Sequence, residues 1–483
     1  MTELAAKQNI YAKLLKGSDN RIPILAAVSF LLLFAGLMYV GIIADMGIYV
    51  LAGLAVISMV VVFVRNPRIW IYSVGMFTFL FFRDMEEGVS VLDVMTGVFF
   101  LGTLSIWLLW QLVVTRERLI ENTADRLLLF FFLFLILNII IAIFNAVDPL
   151  DWMREFTIFS LILYAFPIKR YFKEKKHIMR LMILMAAVVI GVDLMQFWQY
   201  YKALGDLVYA YQLSSTVRVN QTLYTAAVSM GVVFALYQKR FSRQLIWVVF
   251  SAVTVGALVT SFSRTFWIIL MLNLVLMYFF MTPARRRRLL TYSAVIAVAV
   301  ISLIIAVFGD NTMLMYEMIE KRFTSSTQGT KDISLQARFD EWSEVTDKIQ
   351  ENPLAGNGMH KKFHFFNPID LNTTRTANIH NGYLYISYRA GIPLAIFFFA
   401  ALFIYAYRSY ILSKYLKSDF YRMLAVGSMM TMLLLILSDF TSAQIATRDG
   451  VFVLAFTYAF ISAAEKKYQE EQTAEKSLTA KGQ

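Results

Sequence analysis

The sequence predicts an all-α polytopic membrane protein, with about 12 to 14 transmembrane helices and one large outward-facing loop containing short helices. Its composition is the first reason. Of the 483 residues, 59% are hydrophobic and only 16% are charged, whereas a soluble domain carries about a quarter charged residues. Mean hydropathy is +0.60, and apolar runs near the ~20 residues that cross a bilayer recur along nearly the whole chain.

The placement of the basic residues is the second reason. Lysines and arginines cluster on alternate connections, which is the positive-inside pattern of membrane topology. This pattern explains the net charge of +12 without a nucleic-acid partner. It predicts that both termini are cytoplasmic and that residues 309–380 face outward. The chain contains no cysteine, so neither disulfides nor thiolate metal sites are expected.

The hydropathy pattern divides the chain into four parts. Residues 1–308 are predicted to form an N-terminal transmembrane bundle, whose first apolar run, IPILAAVSFLLLFAGLMYVGII, is too long for a cleaved signal sequence. Residues 309–380 form the large extracytoplasmic loop, which is periplasmic if an outer membrane is present. Residues 381–464 contain the C-terminal transmembrane helices. The polar segment 465–483 is expected to be a disordered cytoplasmic tail.

Within the large loop, SLQARFDEWSEVTDKIQ (334–350) predicts an amphipathic helix with Ser334 as its N-cap. Arg338 falls on the apolar face of this helix. Such a charge is either paired, directed into a polar cavity, or extended to water along its stem. The apolar face contains Leu335, Phe339, Trp342, Val345 and Ile349, and the opposite face contains Asp340, Glu341, Glu344 and Asp347.

The helix is predicted to end at ENPLAGNGMH (351–360), where Asn352-Pro353 interrupts it. Gly356 and Gly358 permit positive φ angles or a close backbone approach, although an ordinary turn has the same composition. His360 and His364 have the spacing of a metal-binding pair. The segment offers little helix to align them, so no metal site is predicted.

Two further polar positions lie where the chain enters the membrane. Arg264, in VTSFSRTFWIILMLN, lies at the outer end of an apolar span, where a charge faces a cavity or acts as an interfacial anchor beside Trp267. His380, in TANIHNGYLYISYRAG (376–391), precedes a span predicted to start near Gly382, and its alternative role is to cap that helix. Other arginines on the outward half suit a phosphate-bearing ligand; they are Arg83, Arg154, Arg218, Arg389 and Arg448.

Three of these stretches, in this order, resemble the O-antigen ligase and polymerase superfamily of bacterial surface-glycan enzymes. They are SFSRTFW (261–267), QARFDEWSEVTDKIQENPLAGNGMH (336–360) and HNGYLYISYRAGIPLA (380–395). The family pattern has a Ser-Arg at the outer end of a span, a large outer loop with an Arg-containing helix and an NPL-x-G-x-G turn. A His-Asn-x-x-Leu segment then re-enters the membrane. Arg389 departs from the acidic or neutral residue expected at its position.

The resemblance implies an inverting glycosyltransferase at the outer face of the bacterial inner membrane. It would move a polyprenyl (undecaprenyl)-pyrophosphate-linked glycan onto a sugar hydroxyl of a glycan or lipid-core acceptor, without a metal or other cofactor. His380 matches the family's catalytic base, and Arg264 and Arg338 match the arginines that hold pyrophosphate. The further substrate-binding candidates are Arg218, Asn381, Gly356 and Gly358.

Other functions remain open at this point. The same motifs fit a repeat-unit polymerase for O-antigen or exopolysaccharide, although an O-antigen ligase is the preferred interpretation. A transporter or flippase of lipid-linked glycans is more distant, because the marked charges concentrate on the outward side. A metal-dependent membrane glycosyltransferase would have to use the acidic segment RDMEEG (83–88) to hold its cation.

Overall fold

The computed structural model describes residues 63, 65–82, 91–116, 118–205, 220–325, 333–369 and 371–481. The chain divides into two compact units, Met1–Trp70 and Ile71–Gln483. Few residues of the first unit are described, and the contacts reported below all lie within the second. The first predicted span, the acidic segment 83–88 and Arg218 lie outside the described residues.

The described elements that precede the large loop are all helical. A π-helical turn, Trp110–Thr115, extends the second helix, and a 3₁₀ turn, Leu161–Tyr164, joins the fourth to the fifth. The helices are α1 (Pro67–Phe82), α2 (Val91–Leu109), α3 (Thr123–Phe144), α4 (Pro149–Ser160), α5 (Ala165–Tyr171), α6 (Lys175–Gly205), α7 (Gln221–Tyr237), α8 (Phe241–Thr260), α9 (Arg264–Phe280) and α10 (Pro283–Phe308).

The loop and the C-terminal part add six helices and a hairpin to the described elements. The helices are α11 (Thr312–Ser325), α12 (Ile333–Glu351), α13 (Gly382–Ala390), α14 (Ile392–Tyr415), α15 (Asp419–Ser438) and α16 (Arg448–Lys481). Strands β1 (Phe363–Asn367) and β2 (Asn372–Thr376) pair in antiparallel fashion between α12 and α13.

The predicted fold class is confirmed. Among the described residues, seven helices are long and apolar enough to cross a membrane: α2 with its π-helical turn, α3, α6, α8, α10, α14 and α15. Helices α7 and α9 are apolar but shorter. The total of about 12 to 14 spans includes segments outside the described residues, so that number stays a prediction.

Helix α15 forms the centre of the second unit. Of its most apolar stretch, 83% is buried, whereas the corresponding share of α10 is 17%, which places α10 at the periphery. Helices α7, α14 and α16 pack against α15, and α3 packs against α14. Large apolar side chains such as Phe144 and Val298 are exposed. Lipid tails solvate such side chains as well as a protein core does, so this surface suits a bilayer.

A buried carboxylate joins four of the helices. Asp125 of α3 accepts hydrogen bonds from Lys169 Nζ at 2.7 Å and from the hydroxyls of Tyr405 and Tyr458 at 2.9 and 2.5 Å. These partners belong to α5, α14 and α16. Both carboxylate oxygens are therefore paired, which compensates for the desolvation of the charge.

The amphipathic loop helix forms as predicted, but its buried face differs. Helix α12 spans Ile333–Glu351, so Ser334 lies inside its first turn. Phe339, expected to be buried, is 48% exposed. Glu341, expected on the solvated face, is buried together with Ala337, Val345 and Ile349. Glu341 is buried because it contacts the backbone N–H and the imidazole of His380.

The hairpin was not predicted from the sequence. Its register pairs Phe363 with Thr376 and Asn367 with Asn372, and β1 packs against α12. Phe363 is buried, whereas His364 is exposed. His364 therefore lies on the exposed face of the hairpin.

The C-terminal tail, expected to be disordered, is helical as far as Lys481, because α16 continues through it. Hydrogen bonds and an ion pair explain why this segment is helical. Glu471 accepts the backbone N–H groups of Lys417 and Ser418 at 2.9 and 3.2 Å, just before α15 begins. Glu465 pairs with Arg408 at 3.2 Å. The acidic residues of the tail thus hold α16 against the connection between α14 and α15.

The glycine-rich turn after α12 packs on the end of α13. The N–H groups of Asn357 and Gly358 donate to the carbonyls of Tyr388 and Arg389 at 2.8 and 3.0 Å. Gly391, with φ 88°, then separates α13 from α14. The single span expected from Gly382 is therefore a short helix followed by a membrane helix, at the bend that Gly391 and Pro393 predict.

Gly358 should not tolerate a side chain. Its φ is +92°, and an added Cβ would lie 2.6 Å from the Cα of Ala142 in α3. We expect Gly358→Ala to lower the Tm of the purified protein in detergent by several degrees, because the backbone strain alone costs about 1–3 kcal/mol.

Gly102→Ala is the matched control, since nothing lies within 4 Å of an added Cβ in α2 and alanine favours helix. Its Tm should equal or exceed that of the wild type. An unchanged Tm for Gly358→Ala would contradict the packing of the turn on α3.

Candidate functional site

The imidazole of His380 is held by a buried carboxylate. His380 Nδ1 lies 2.7 Å from Glu341 Oε2, and the backbone N–H of His380 donates to Glu341 Oε1 at 2.5 Å. The side chain of Glu341 is 3% exposed, whereas that of His380 is 49% exposed. Helix α12 thus orients a histidine whose other ring edge is accessible.

The residues after His380 hold it at a helix start. Asn381 is the N-cap of α13, and its side-chain oxygen accepts the N–H groups of Tyr383 and Leu384, each at 3.0 Å. His380 is therefore next to the cap and is not the capping residue. Its carbonyl accepts a hydrogen bond from Trp342 Nε1 at 3.1 Å, so α12 contacts it through both Glu341 and Trp342.

Gly382 allows α15 to approach this helix start closely. Its N–H donates to the carbonyl of Asp439 at 2.7 Å, and an added Cβ would lie 2.5 Å from Asp439 Oδ1. The same oxygen accepts the N–H of Ile445 at 3.2 Å. Asp439 therefore connects the start of α13 to residues 442–447, which form one wall of the cavity beside His380.

That cavity has a volume of about 340 Å³. Its walls come from α4, the end of the glycine-rich turn, the segment before α13, α13 itself and the connection between α15 and α16. An ionisable group of lining residues consists of His380, His360, Arg154, Glu155, Tyr385 and Arg389. Asn378, Ser442 and Thr447 are among the other polar lining residues.

A second ionic cluster lines the same cavity. Arg389 Nε lies 3.0 Å from Glu155 Oε1, an ion-pair distance, and Tyr385 donates its hydroxyl to the same oxygen. Arg389 also donates to the carbonyls of Lys361 and Ala377. His360 Nδ1 lies 3.2 Å from Glu155 Oε2. Arg389 is buried, and its guanidinium contacts protein groups.

Glu155 is the ionised centre of this cluster. Burial raises the pKa of Glu155, but the Arg389 guanidinium and the hydrogen bonds from His360 and Tyr385 outweigh it. The pKa of Glu155 is therefore held below its ordinary value. A carboxylate in this state only accepts hydrogen bonds, which fixes the direction of each bond around it.

The comparison with known families agrees with this geometry. The O-Antigen ligase family model matches residues 249–399. The resemblance to the O-antigen ligase superfamily is confirmed. A search of curated proteins found no match. The matched span contains His380, Glu341 and His360, whereas Glu155 of α4 lies before it.

The structure distributes the other predicted site residues differently. Arg264 is the first residue of α9, and Arg338 lies on α12 three residues before Glu341. Both side chains are half-buried and have contacts within the protein. Neither is among the described residues that line the cavity. Their assignment to pyrophosphate stays a prediction.

The predicted glycines contact protein backbone. An added Cβ on Gly356 would lie 2.6 Å from the carbonyl oxygen of Arg389, and one on Gly358 would meet Ala142. Both glycines are buried. Their conformational freedom is thus used to dock the turn, and the substrate-binding role suggested for them has no support from this packing.

Sequence reasoning missed Glu341 and Glu155. Glu341 looked like one more acid on a solvated helix face, although its position three residues after Arg338 within the motif is a signal that could have found it. Glu155 carries no motif at all, because its partners are more than 200 residues away. Arg389, whose role had no sequence explanation, is the buried counter-charge of Glu155.

Proposed function

We propose that the protein is a membrane glycosyltransferase of the O-antigen ligase type. It transfers a glycan from a polyprenyl-pyrophosphate carrier to a sugar hydroxyl of an acceptor. The observation that carries the proposal is the imidazole of His380, held by buried Glu341 at the wall of a cavity of about 340 Å³. Both residues lie in the span that matches the O-Antigen ligase family model.

Glu341 selects the tautomer of His380 that a base requires. Its two oxygens accept the backbone N–H and Nδ1–H of His380. In the neutral ring the proton is then on Nδ1 and the lone pair is on Nε2. A carboxylate that orients the histidine of a catalytic triad has the same effect.

The reaction follows from that lone pair. Nε2 of His380 takes the proton of the acceptor hydroxyl as its oxygen attacks the anomeric carbon of the donor. A new C–O bond forms, the bond from the anomeric carbon to the phosphate oxygen breaks, and the electron pair leaves with the pyrophosphate. Attack from the face opposite to the leaving group inverts the anomeric centre.

Arg264 and Arg338 are proposed to hold the pyrophosphate. Arg264 begins α9, so its guanidinium adds to the positive end of a helix dipole, a combination that favours phosphate groups. Arg338 lies about one turn from Glu341 on α12, which links the clamp to the helix that orients the base. No metal or other cofactor is assigned to this reaction.

The chain is a multi-pass membrane protein, and we propose that its site faces outward from the bacterial inner membrane with both termini cytoplasmic. The alternation of basic connections supports this orientation. We favour a ligase over a repeat-unit polymerase because the site residues concentrate beside one large loop. A polymerase is expected to provide outer basic surface for two lipid-linked chains.

Glu341→Gln should reduce glycan transfer by about 10²–10⁴-fold, the range for loss of a general base. One amide group cannot accept both N–H groups of His380. With its oxygen on the backbone N–H, the glutamine directs its own NH₂ at Nδ1, which moves the imidazole proton to Nε2 and blocks the base.

Transfer is measured with purified protein, lipid-linked donor and acceptor, beside His380→Ala as the reference for complete loss of the base. Glu344→Gln makes the same chemical change one turn further along α12 and should retain activity. Near-wild-type transfer by correctly inserted Glu341→Gln or His380→Ala protein would refute the assignment of the base.

Arg264→Lys and Arg338→Lys should each fail nearly as badly as the corresponding alanine variants. A lysine keeps the charge but lacks the planar fork that binds two phosphate oxygens at once. Transfer rates for the four variants, together with inhibition by inorganic pyrophosphate, test this. A fully active lysine variant would show that the residue supplies a general positive charge only.

Deleting the gene separates a ligase from a polymerase. Loss of a ligase should leave long glycan chains on the polyprenyl carrier and none on the final acceptor. Electrophoresis of the extracted glycolipids shows which occurs. If single repeat units still reach the acceptor while long chains disappear, the protein is a polymerase and the ligase proposal is wrong.

A further inference from the structure

The cavity contains a second histidine arranged like His380. His360 also lines it, and His360 Nδ1 lies 3.2 Å from the carboxylate of Glu155. Glu155 is largely buried, with 11% of its side chain exposed, as Glu341 is with 3%. Two histidine–glutamate pairs, contributed by different parts of the chain, thus face one space.

Glu155 determines which nitrogen of His360 is available. Because Glu155 is ionised and accepts from Tyr385 as well, its contact with His360 requires Nδ1 to donate. Nε2 is then the ring nitrogen that does not contact Glu155. It lies 3.8 Å from Asp151 Oδ2, which is too long for a hydrogen bond.

The backbone around His360 is built to present it. His360 adopts a left-handed conformation with φ 62°, which is uncommon for a residue other than glycine. The neighbouring residues fix it on both sides: the N–H of Met359 donates to Asn138 Oδ1 at 3.0 Å, and Lys361 Nζ donates to the carbonyl of Asn145 at 2.6 Å. These contacts with α3 and its C-cap hold the backbone of His360 in place.

The charges around His360 select the kind of group that binds there. Asp151 and Glu155 flank its ring, and two carboxylates repel a phosphate. Arg154 and Arg389, the described cations at this wall, already pair with these carboxylates, at 3.3 Å to Asp151 and at 3.0 Å to Glu155. A hydroxyl fits better, because it is neutral and can donate to a neutral imidazole or accept from a protonated one.

We propose that His360 Nε2 binds a second hydroxyl of the acceptor sugar whose reacting hydroxyl lies at His380. The inference rests on the proposed glycosyl transfer and adds the residue that orients the acceptor. The sugar end of the substrates then occupies the cavity. Side chains suited to a sugar ring complete its lining, namely Asn378, Ser442 and Thr447 with Ala377, Ala443 and Ala446.

Two substitutions separate this role from a structural one. An asparagine amide nitrogen occupies the place of imidazole Nδ1, so His360→Asn keeps the contact with Glu155 and loses the Nε2 position. Asparagine also tolerates the left-handed backbone. A glutamine reaches the place of Nε2, so His360→Gln keeps a polar group for the hydroxyl.

The assay uses purified full-length protein with the donor and acceptor glycolipids extracted from membranes of a strain that lacks the gene. His360→Asn should raise the apparent KM for the acceptor extract by about 10-fold or more, the cost of leaving a polar group unpaired. Its kcat should change little. His360→Gln should recover most of the lost KM, and His364→Asn, on the exposed face of β1, should match the wild type.

The outcomes identify which proposal fails. If wild-type protein transfers glycan and His360→Asn has an unchanged KM, or if glutamine is worse than asparagine, His360 only anchors its loop and the inference is overturned. If the kcat of His360→Asn falls as far as that of His380→Ala, His360 takes part in chemistry and the binding role is wrong. If wild-type protein transfers nothing, the proposed function itself fails.

Discussion

A buried amide in an apolar helix holds the site together. Asn138 of α3 donates to the carbonyl of Arg389 at 3.0 Å and accepts the N–H of Met359 at 3.0 Å. The N–H of Met359 is buried, and leaving such a group unpaired costs about 1–3 kcal/mol. The end of the large loop is therefore fixed to a membrane helix. Both histidines of the cavity depend on that attachment, His360 directly and His380 through α13.

In the candidate site, a largely buried glutamate contacts each of the two histidines and orients its ring. Glu341 and Glu155 each lie within hydrogen-bond distance of an imidazole Nδ1, which leaves Nε2 for the proposed substrate contacts. The charge of Glu155 is compensated by Arg389, which accounts for an arginine where the resemblance predicts an acidic or neutral residue. The proton position on each ring thus follows from a carboxylate that a substrate does not have to touch.

The site is assembled from segments far apart in the chain. Helix α12 supplies Glu341 and the segment before α13 supplies His380, the proposed base, and both lie inside the span matched by the O-Antigen ligase family model. Helix α4 supplies Glu155 from outside that span. The proposed chemistry is thus separated from the proposed recognition of the acceptor, because each histidine has its own glutamate on its own element.

The sequence by itself determined the all-α membrane fold. Apolar runs long enough to cross a bilayer, joined by alternating basic connections, indicate transmembrane helices, because a helix satisfies its backbone hydrogen bonds within the membrane. It also identified His380, the loop helix and the bend at Gly391, because these signals are local. Only the tertiary structure decided that Glu341 is buried, that Gly356 and Gly358 serve packing, and that the polar tail is helical. It likewise brought Glu155, His360 and Arg389 together. A charge is stabilised by whatever lies near it in space, and that proximity leaves no periodicity in the sequence.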